Sequence, residues 1–448
     1  MDDVRALFGS SEMARVFSSE AHIAGMLAFE AGLAEAEARA GVIPAEAAEA
    51  IAAACKVERF DVPALYRDAV PSGTLAIPLV KALTAAVGAE HGRYVHWGAT
   101  SQDPIDSAMM LQVRDGLGLL IDGLLGIAAA AAALAEQHRG TPMIGRTLMQ
   151  QALPITFGLK AARWLALVCR QVRRLDDLRS GALVVQFGGA VGTLSALGAR
   201  GDEVVELLAE ELGLHVPDLP WHTERDRVVE IAAAVGIVAG AMEKIASDVL
   251  LLAQTEVGEV AEASAPGKGG SSAMPHKRNP VDATFAVASA RLALGNVPVI
   301  LNAMAHEHER AAGGWQLEWS VLPDLFMHTA AAVERVRSVL EGLNVDADRM
   351  RANLDLTGGL MMAEPLTMAL AGSLGRPEAF RLVEELTRRA SDAGQSLSDA
   401  AHADERVSAV LTPDEINRAL DPANFLGSTD RFIARALMSY QDLRADLS

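Results

Sequence analysis

An all-α fold with long central helices is what this chain of 448 residues predicts, and three observations carry the prediction. Alanine, leucine and glutamate abound while aromatic residues make up only 4%, a balance that favours helix over sheet. Apolar residues recur at spacings of three and four through very long tracts. Alternation of period two is absent at any convincing length, with 183–187 a short β-like run at most.

In chain order, an amphipathic helical stretch covers 18–58, broken at Gly41-Val42-Ile43-Pro44, where Pro44 starts the next helix. A looser section follows over 60–100, punctuated by Pro63, Pro71, Gly73 and Pro78. Long helices are expected over 103–137, 151–179, 223–262, 280–305 and 320–342. The tract beginning near Thr223 is the most regular. Val228, Ile231, Val235, Val238, Met242, Ile245, Val249 and Leu252 follow the three-four spacing without a slip. That seam is roughly 40 Å long at 1.5 Å rise per residue, the mark of a helix packed along its length in a bundle and across a subunit boundary. One step further it places Glu256 where an apolar residue is due. A carboxylate there is either solvated past the bundle end or held to orient something functional. Beyond 345, Gly358-Gly359, Gly375-Arg376-Pro377 and the polar stretch 391–405 delimit short helices. The chain thus divides into an N-terminal helical region 1–102, a long-helix region 103–345 and a C-terminal helical region 346–448.

Bulk composition narrows the functional classes. A formal charge of −19 opposes nonspecific nucleic-acid binding, yet a few local cations can still dominate one pocket for an anionic substrate. With only Cys55 and Cys169, neither a disulfide framework nor a CxxC metal site is available, which suits a reducing cytoplasm. Met1-Asp2-Asp3 opens no signal peptide, and the apolar run 117–135, carrying Asp122, reads as a buried helix and not a membrane span.

Four segments carry chemistry. Gly269-Gly270-Ser271-Ser272-Ala273-Met274-Pro275-His276-Lys277-Arg278-Asn279-Pro280 combines backbone freedom, hydroxyls and cations, with Asn279-Pro280 and Asp282 as a helix start, a place that binds anions. His96-Trp97-Gly98-Ala99-Thr100-Ser101-Gln102-Asp103 repeats that grammar, with Asp103 as cap and Asp106 in the first turn. Its Thr100, Ser101 and Gln102 can cradle a carboxylate with neutral donors. In Gly145-Arg146-Thr147-Leu148-Met149-Gln150-Gln151, Arg146 can fork onto a carboxylate and Gln150 can donate and accept. The fourth, His306-Glu307-His308-Glu309-Arg310, offers no metal site by spacing, but Arg310 before a glycine pair can reach an anion.

The run from Gly270 to Pro280 resembles the mobile signature loop of the fumarase/aspartase superfamily. The resemblance implies an all-α subunit in three regions whose long helices assemble a homotetramer, with each site built from loops of three subunits. It makes Ser271 the proton-transferring group, with Ser272 as its neighbour and Lys277 as the cation that makes the hydroxyl reactive. Met274 and Asn279 of the same loop, with Thr100, Ser101 and His96, become substrate-binding residues, joined by Gln102, Arg146, Thr147, Gln150, Gln151 and Arg310. Related adenylosuccinate, argininosuccinate and fumarate enzymes carry a leaving-group histidine where Leu148 stands here, and some enzymes of the cycloisomerase branch carry one where Gln151 stands, which leaves any second proton carrier open. An apolar residue cannot protonate an amine, so the departure points to lactone opening and closing, whose leaving group is already a carboxylate. Trp221-His222-Thr223-Glu224-Arg225-Asp226-Arg227 and the Arg310 segment are similar to the cycloisomerase branch of that superfamily, which implies a small tricarboxylate substrate and no cofactor. A lyase releasing fumarate from an aminosuccinate and a non-catalytic structural descendant are the alternatives.

Overall fold

The computed structural model describes residues 4–447, which form α-helices, short 3-10 turns and two small two-stranded sheets. Packing gathers them into two compact units: residues through Leu124 with Gln171–Lys244 and Phe285–Arg335, and Leu125–Arg170 with Ile245–Thr284 and the chain from Val336 onward. Five long helices, Gln102–Gln137, Phe157–Gly181, Asp226–Leu252, Val281–Ala303 and Gly314–Glu341, contribute residues to both.

The all-α expectation holds, and the seam holds with it: all eight residues from Val228 to Leu252 are buried. The helix ends at Leu252, however, ten residues short of the expected 262. Glu256 is exposed in the turn beyond, so its carboxylate is the solvated one. The Gly314–Glu341 helix begins six residues before the expected 320 and carries Pro323 in its interior. The apolar run 117–135 lies in the core, where Leu117, Leu124 and Ile127 are fully buried.

In the first unit, the Ser19–Arg39 helix opens where the Ser18 hydroxyl accepts the Ala21 amide, 3.1 Å. It packs Ile23, Met26 and Leu27 with Leu79, Leu83, Ile105, Ala108 and Trp315. Gly25 makes that approach possible, since an added Cβ would meet the Ala108 Cβ at 3.0 Å. The same inward stripe carries two carboxylates, Glu30 and Glu37, only 2% and 1% exposed. Pro44 is the extended N-cap of the Ala45–Ala54 helix, one place earlier than a first-turn proline.

The second unit corrects the sequence reading between 142 and 156. Strands Pro142–Thr147 and Gln150–Thr156 form an antiparallel hairpin where the start of a helix over 151–179 is expected. The helix begins at Phe157, capped by the Thr156 hydroxyl accepting the Leu159 amide, 3.0 Å. A two-residue loop, Leu148-Met149, closes the hairpin with both residues left-handed, φ 49° and 67°. Toward the C-terminus, Leu366, Leu370, Leu382, Leu386, Leu397 and Ile416 form the core of a set of short helices.

Candidate active site

The first cluster grows from the turn into the Gln102–Gln137 helix. Thr100 and Asp103 cap it reciprocally: the Thr100 amide donates to Asp103 Oδ2 at 2.9 Å, and the Asp103 amide to the Thr100 carbonyl at 3.0 Å. Asp103, expected as the cap, instead lies in the first turn of a helix that begins at Gln102. The Asp103 carboxylate also accepts the amides of Gly188 and Gly189, at 3.2 and 3.1 Å, and bonds His222 Nε2 at 2.8 Å. Fully buried, it is a hub that fixes the loop. Arg310 donates through Nη1 to the Thr100 hydroxyl, 2.8 Å, and through Nη2 to the Ala190 carbonyl, 3.1 Å. The structure thus joins two sequence-predicted binding residues separated by 210 positions, both half-buried. Ser101 beside Thr100 is also half-buried.

Gln102, expected to cradle a carboxylate, is fully buried: its amide nitrogen donates inward to Asp106 Oδ2 and the His222 carbonyl, both 2.9 Å, and its Oε1 has no hydrogen-bond partner. Asp106 likewise serves the interior, receiving Arg225 Nη1 at 2.7 Å and the Trp315 indole at 2.9 Å. His96 sits at φ 60° with Nδ1 2.6 Å from Glu30 Oε1. Among the described residues, no group of three His, Cys, Asp or Glu side chains is placed to hold a metal ion.

The second cluster is built on the hairpin, whose polar side chains meet Glu259 and Asn353. Arg146 forks, as expected, but onto Glu259 of its own chain, with bonds of 2.9 and 2.6 Å. Glu259 is fully buried and also accepts the Asn353 amide at 2.8 Å, while Gln151 donates to the Asn353 carbonyl at 3.2 Å. Arg146 and Gln151 therefore belong to one polar network whose carboxylate the chain itself supplies. Thr147 and Gln150 flank the exposed tip, where Leu148 is 96% exposed.

In the signature loop, the Ser271 oxygen accepts two backbone amides, from Ala273 at 3.3 Å and Met274 at 3.1 Å. Donors converging on a hydroxyl oxygen favour its ionised form, which distinguishes Ser271 from the exposed Ser272. Met274 and Lys277 are exposed in the same loop. Gly269, at φ 70°, lets the loop close tightly: the Asn279 amide and side chain both donate to its carbonyl, at 2.8 and 3.2 Å. Asn279 therefore ties the loop together instead of capping the helix. The helix amides expected to await an anion are already filled, since Asp282 and Ala283 donate to the Glu262 carboxylate at 3.3 and 2.8 Å. Lys268 joins Asp282 at 2.5 Å and Glu262 at 3.5 Å.

Sequence reasoning passed over Glu30, Glu259, Glu262 and Asn353, and noted His222 only as part of a family-like segment, without a role. Only Glu30 carried a readable signal, a carboxylate at an apolar position of a helix stripe.

A family profile described as lyase matches residues 2–295, and one described as adenylosuccinate lyase C-terminus matches 359–436. The chain belongs to the lyase family, the fumarase/aspartase superfamily that the signature loop resembles. It is similar to the 3-carboxy-cis,cis-muconate cycloisomerase of Pseudomonas aeruginosa, 49% identical over 98% of this chain and 96% of that one. The nitrosuccinate lyase of Streptomyces davaonensis is 43% identical over 94% and 91%. Among solved structures, the 3-carboxy-cis,cis-muconate lactonizing enzyme of Pseudomonas putida superposes with a TM-score of 0.92 at 44% identity, covering 98% of this chain and 99% of that one.

Proposed function

We propose that this chain lactonises 3-carboxy-cis,cis-muconate to 4-carboxymuconolactone, a step in the protocatechuate branch of the β-ketoadipate pathway. The observation that carries the choice of reaction is Leu148 at the hairpin tip, an apolar side chain where a C–N lyase places an acid. The full-length relatives bearing the cycloisomerase name support the same reading.

In the forward direction one carboxylate oxygen adds to the conjugated double bond, forming the C–O bond of the lactone. The displaced π electrons pass to the adjacent carboxylate as an enolate-like dianion, which collapses by taking a proton at carbon. Three carboxylates enter, two carboxylates and one ester leave, and one proton is consumed. Ser271 is the group assigned to that proton, with its oxyanion held by the Ala273 and Met274 amides and with Lys277 adding positive potential. Thr100, Ser101 and Arg310 bind a carboxylate, with His96 on the same loop. Met274 and Asn279 shape the loop, and the hairpin residues Arg146, Thr147, Gln150 and Gln151 present the remaining wall. Nothing in this chemistry requires a cofactor.

A homotetramer in the cytoplasm completes the proposal, with the three regions 1–102, 103–345 and 346–448 as its subunit plan. Leu292 and Val299 on one side of the Val281–Ala303 helix, and Leu294 and Leu301 on the other, are 36–53% exposed, two apolar stripes that further copies would cover.

An ultraviolet assay tests the function. Purified enzyme should bleach the diene absorbance of 3-carboxy-cis,cis-muconate and leave adenylosuccinate unchanged. Conversion of adenylosuccinate with no loss of the diene would reverse the assignment.

A further inference from the structure

We infer that Glu30 is a positioning residue for this site: its buried carboxylate holds His96 as a cationic donor on the loop that carries Thr100, so that the pocket meets a substrate carboxylate with two cations, His96 and Arg310. The inference rests on the carboxylate-binding role proposed above for that loop, and it assigns a residue outside the signature segments.

The geometry is that of a carboxylate–histidine pair. Glu30 reaches His96 from the inward stripe of the Ser19–Arg39 helix, where an apolar residue would pack, and the Oε1–Nδ1 distance is 2.6 Å. The Glu30 side chain is 1% exposed, and its Oε2 is buried with no hydrogen-bond partner. His96 is therefore the polar group that compensates its burial. The imidazole is 16% exposed, so one edge of the ring reaches out of the core. With Nδ1 donating to Glu30, Nε2 is the ring nitrogen available to a ligand. The backbone holds His96 at φ 60°, a left-handed conformation that a β-carbon-bearing residue adopts only at a cost. Such strain at a loop that also carries Thr100 is expected where a side chain must be aimed.

The surrounding groups agree on where the charge lies. Behind Glu30, burial first and the Glu30 charge second push Glu37 up to about 9 and Cys55 up to about 12, so both stay neutral near pH 7. Neither therefore adds a second charge beside the Glu30–His96 pair. For His96, burial works to lower its affinity for a proton. The charge and hydrogen bond of Glu30, with Asp103 of the Gln102–Gln137 helix adding at longer range, outweigh burial and raise it. Arg310, from the segment before the Gly314–Glu341 helix, is the cation that reaches this loop, at the Thr100 hydroxyl. A raised value means that His96 keeps its proton further into the neutral range and loses it as pH rises through that value.

The experiment measures His96 directly in the full-length enzyme, by hydrogen–deuterium exchange at the imidazole C2 position against pH, read by peptide mass spectrometry. The wild-type midpoint should lie above 6.5, the ordinary value. Glu30→Gln should lower it by about one pH unit or more. The alkaline limb of kcat/KM for 3-carboxy-cis,cis-muconate should move with it, giving roughly tenfold lower kcat/KM near pH 7.5, mostly through KM. Glu30→Asp should retain more of the wild-type profile. A wild-type midpoint at or below 6.5 would overturn the inference whether or not Glu30→Gln folds. So would a midpoint that moves while the kcat/KM limb stays in place. Should the wild type leave this substrate untouched, the exchange midpoints alone decide the Glu30–His96 assignment and the proposed reaction fails separately.

Discussion

Ser271→Ala should reduce kcat for 3-carboxy-cis,cis-muconate by about 10²–10⁴-fold, the usual contribution of a positioned proton carrier, with KM held within about threefold. The split follows from the loop. The Ala273 and Met274 amides converge on the Ser271 oxygen, and alanine removes that oxygen without disturbing Thr100 or Arg310. Ser272, exposed and outside this pair of amides, is the internal control. Ser272→Ala should stay within about tenfold of wild type, well short of the loss at a proton carrier. Stopped-flow turnover of the two variants side by side decides the assignment, and a Ser272→Ala loss larger than that of Ser271→Ala would reverse it.

The largest effect on stability should come from Arg225→Met. Arg225 is fully buried and is clamped by Asp106 at 2.7 and 3.2 Å and by Glu318 at 3.1 and 2.5 Å. Its guanidinium also lies 4.7 Å from the Trp221 ring centre. Methionine fills much of the volume but leaves two like charges stranded in the interior. Breaking a buried pair in this way costs about 3–5 kcal/mol, more than either partner's surface equivalent could. Chemical denaturation should show that loss. A variant within about 1 kcal/mol of wild type would mean that the three groups are not dry, as exposed pairs show costs of that size. The same triad anchors Asp106 one turn after Asp103, so Arg225→Met should also loosen the Thr100 loop.

How much of this was legible in the sequence follows from the range of each interaction. Helices announced themselves because their apolar period is local, and the seam from Val228 to Leu252 is the clearest case. The hairpin at 142–156 did not, since Leu148-Met149 lacks the Asn or Gly that a left-handed two-residue turn normally shows. In the site, Thr100 and Arg310 were each recognisable by type, while their pairing across 210 residues was not. Arg146 was rightly read as a fork, but its partner Glu259 lies 113 residues away and no local pattern marks it. Glu30 and Glu37 were visible in principle: at positions due for apolar residues, carboxylates call for a partner or a proton. Glu30 has the partner and Glu37 the proton.

The central claim is that this chain closes a lactone while delivering one proton to carbon, and its most direct test is the reaction run in D₂O. Proton NMR of the product from 3-carboxy-cis,cis-muconate should show a single deuterium at the newly formed C–H centre, in one stereochemical configuration, and the Ser271→Ala enzyme should yield almost none of it. Product with deuterium in both configurations, or a diene that survives prolonged incubation with wild-type enzyme, would contradict the account.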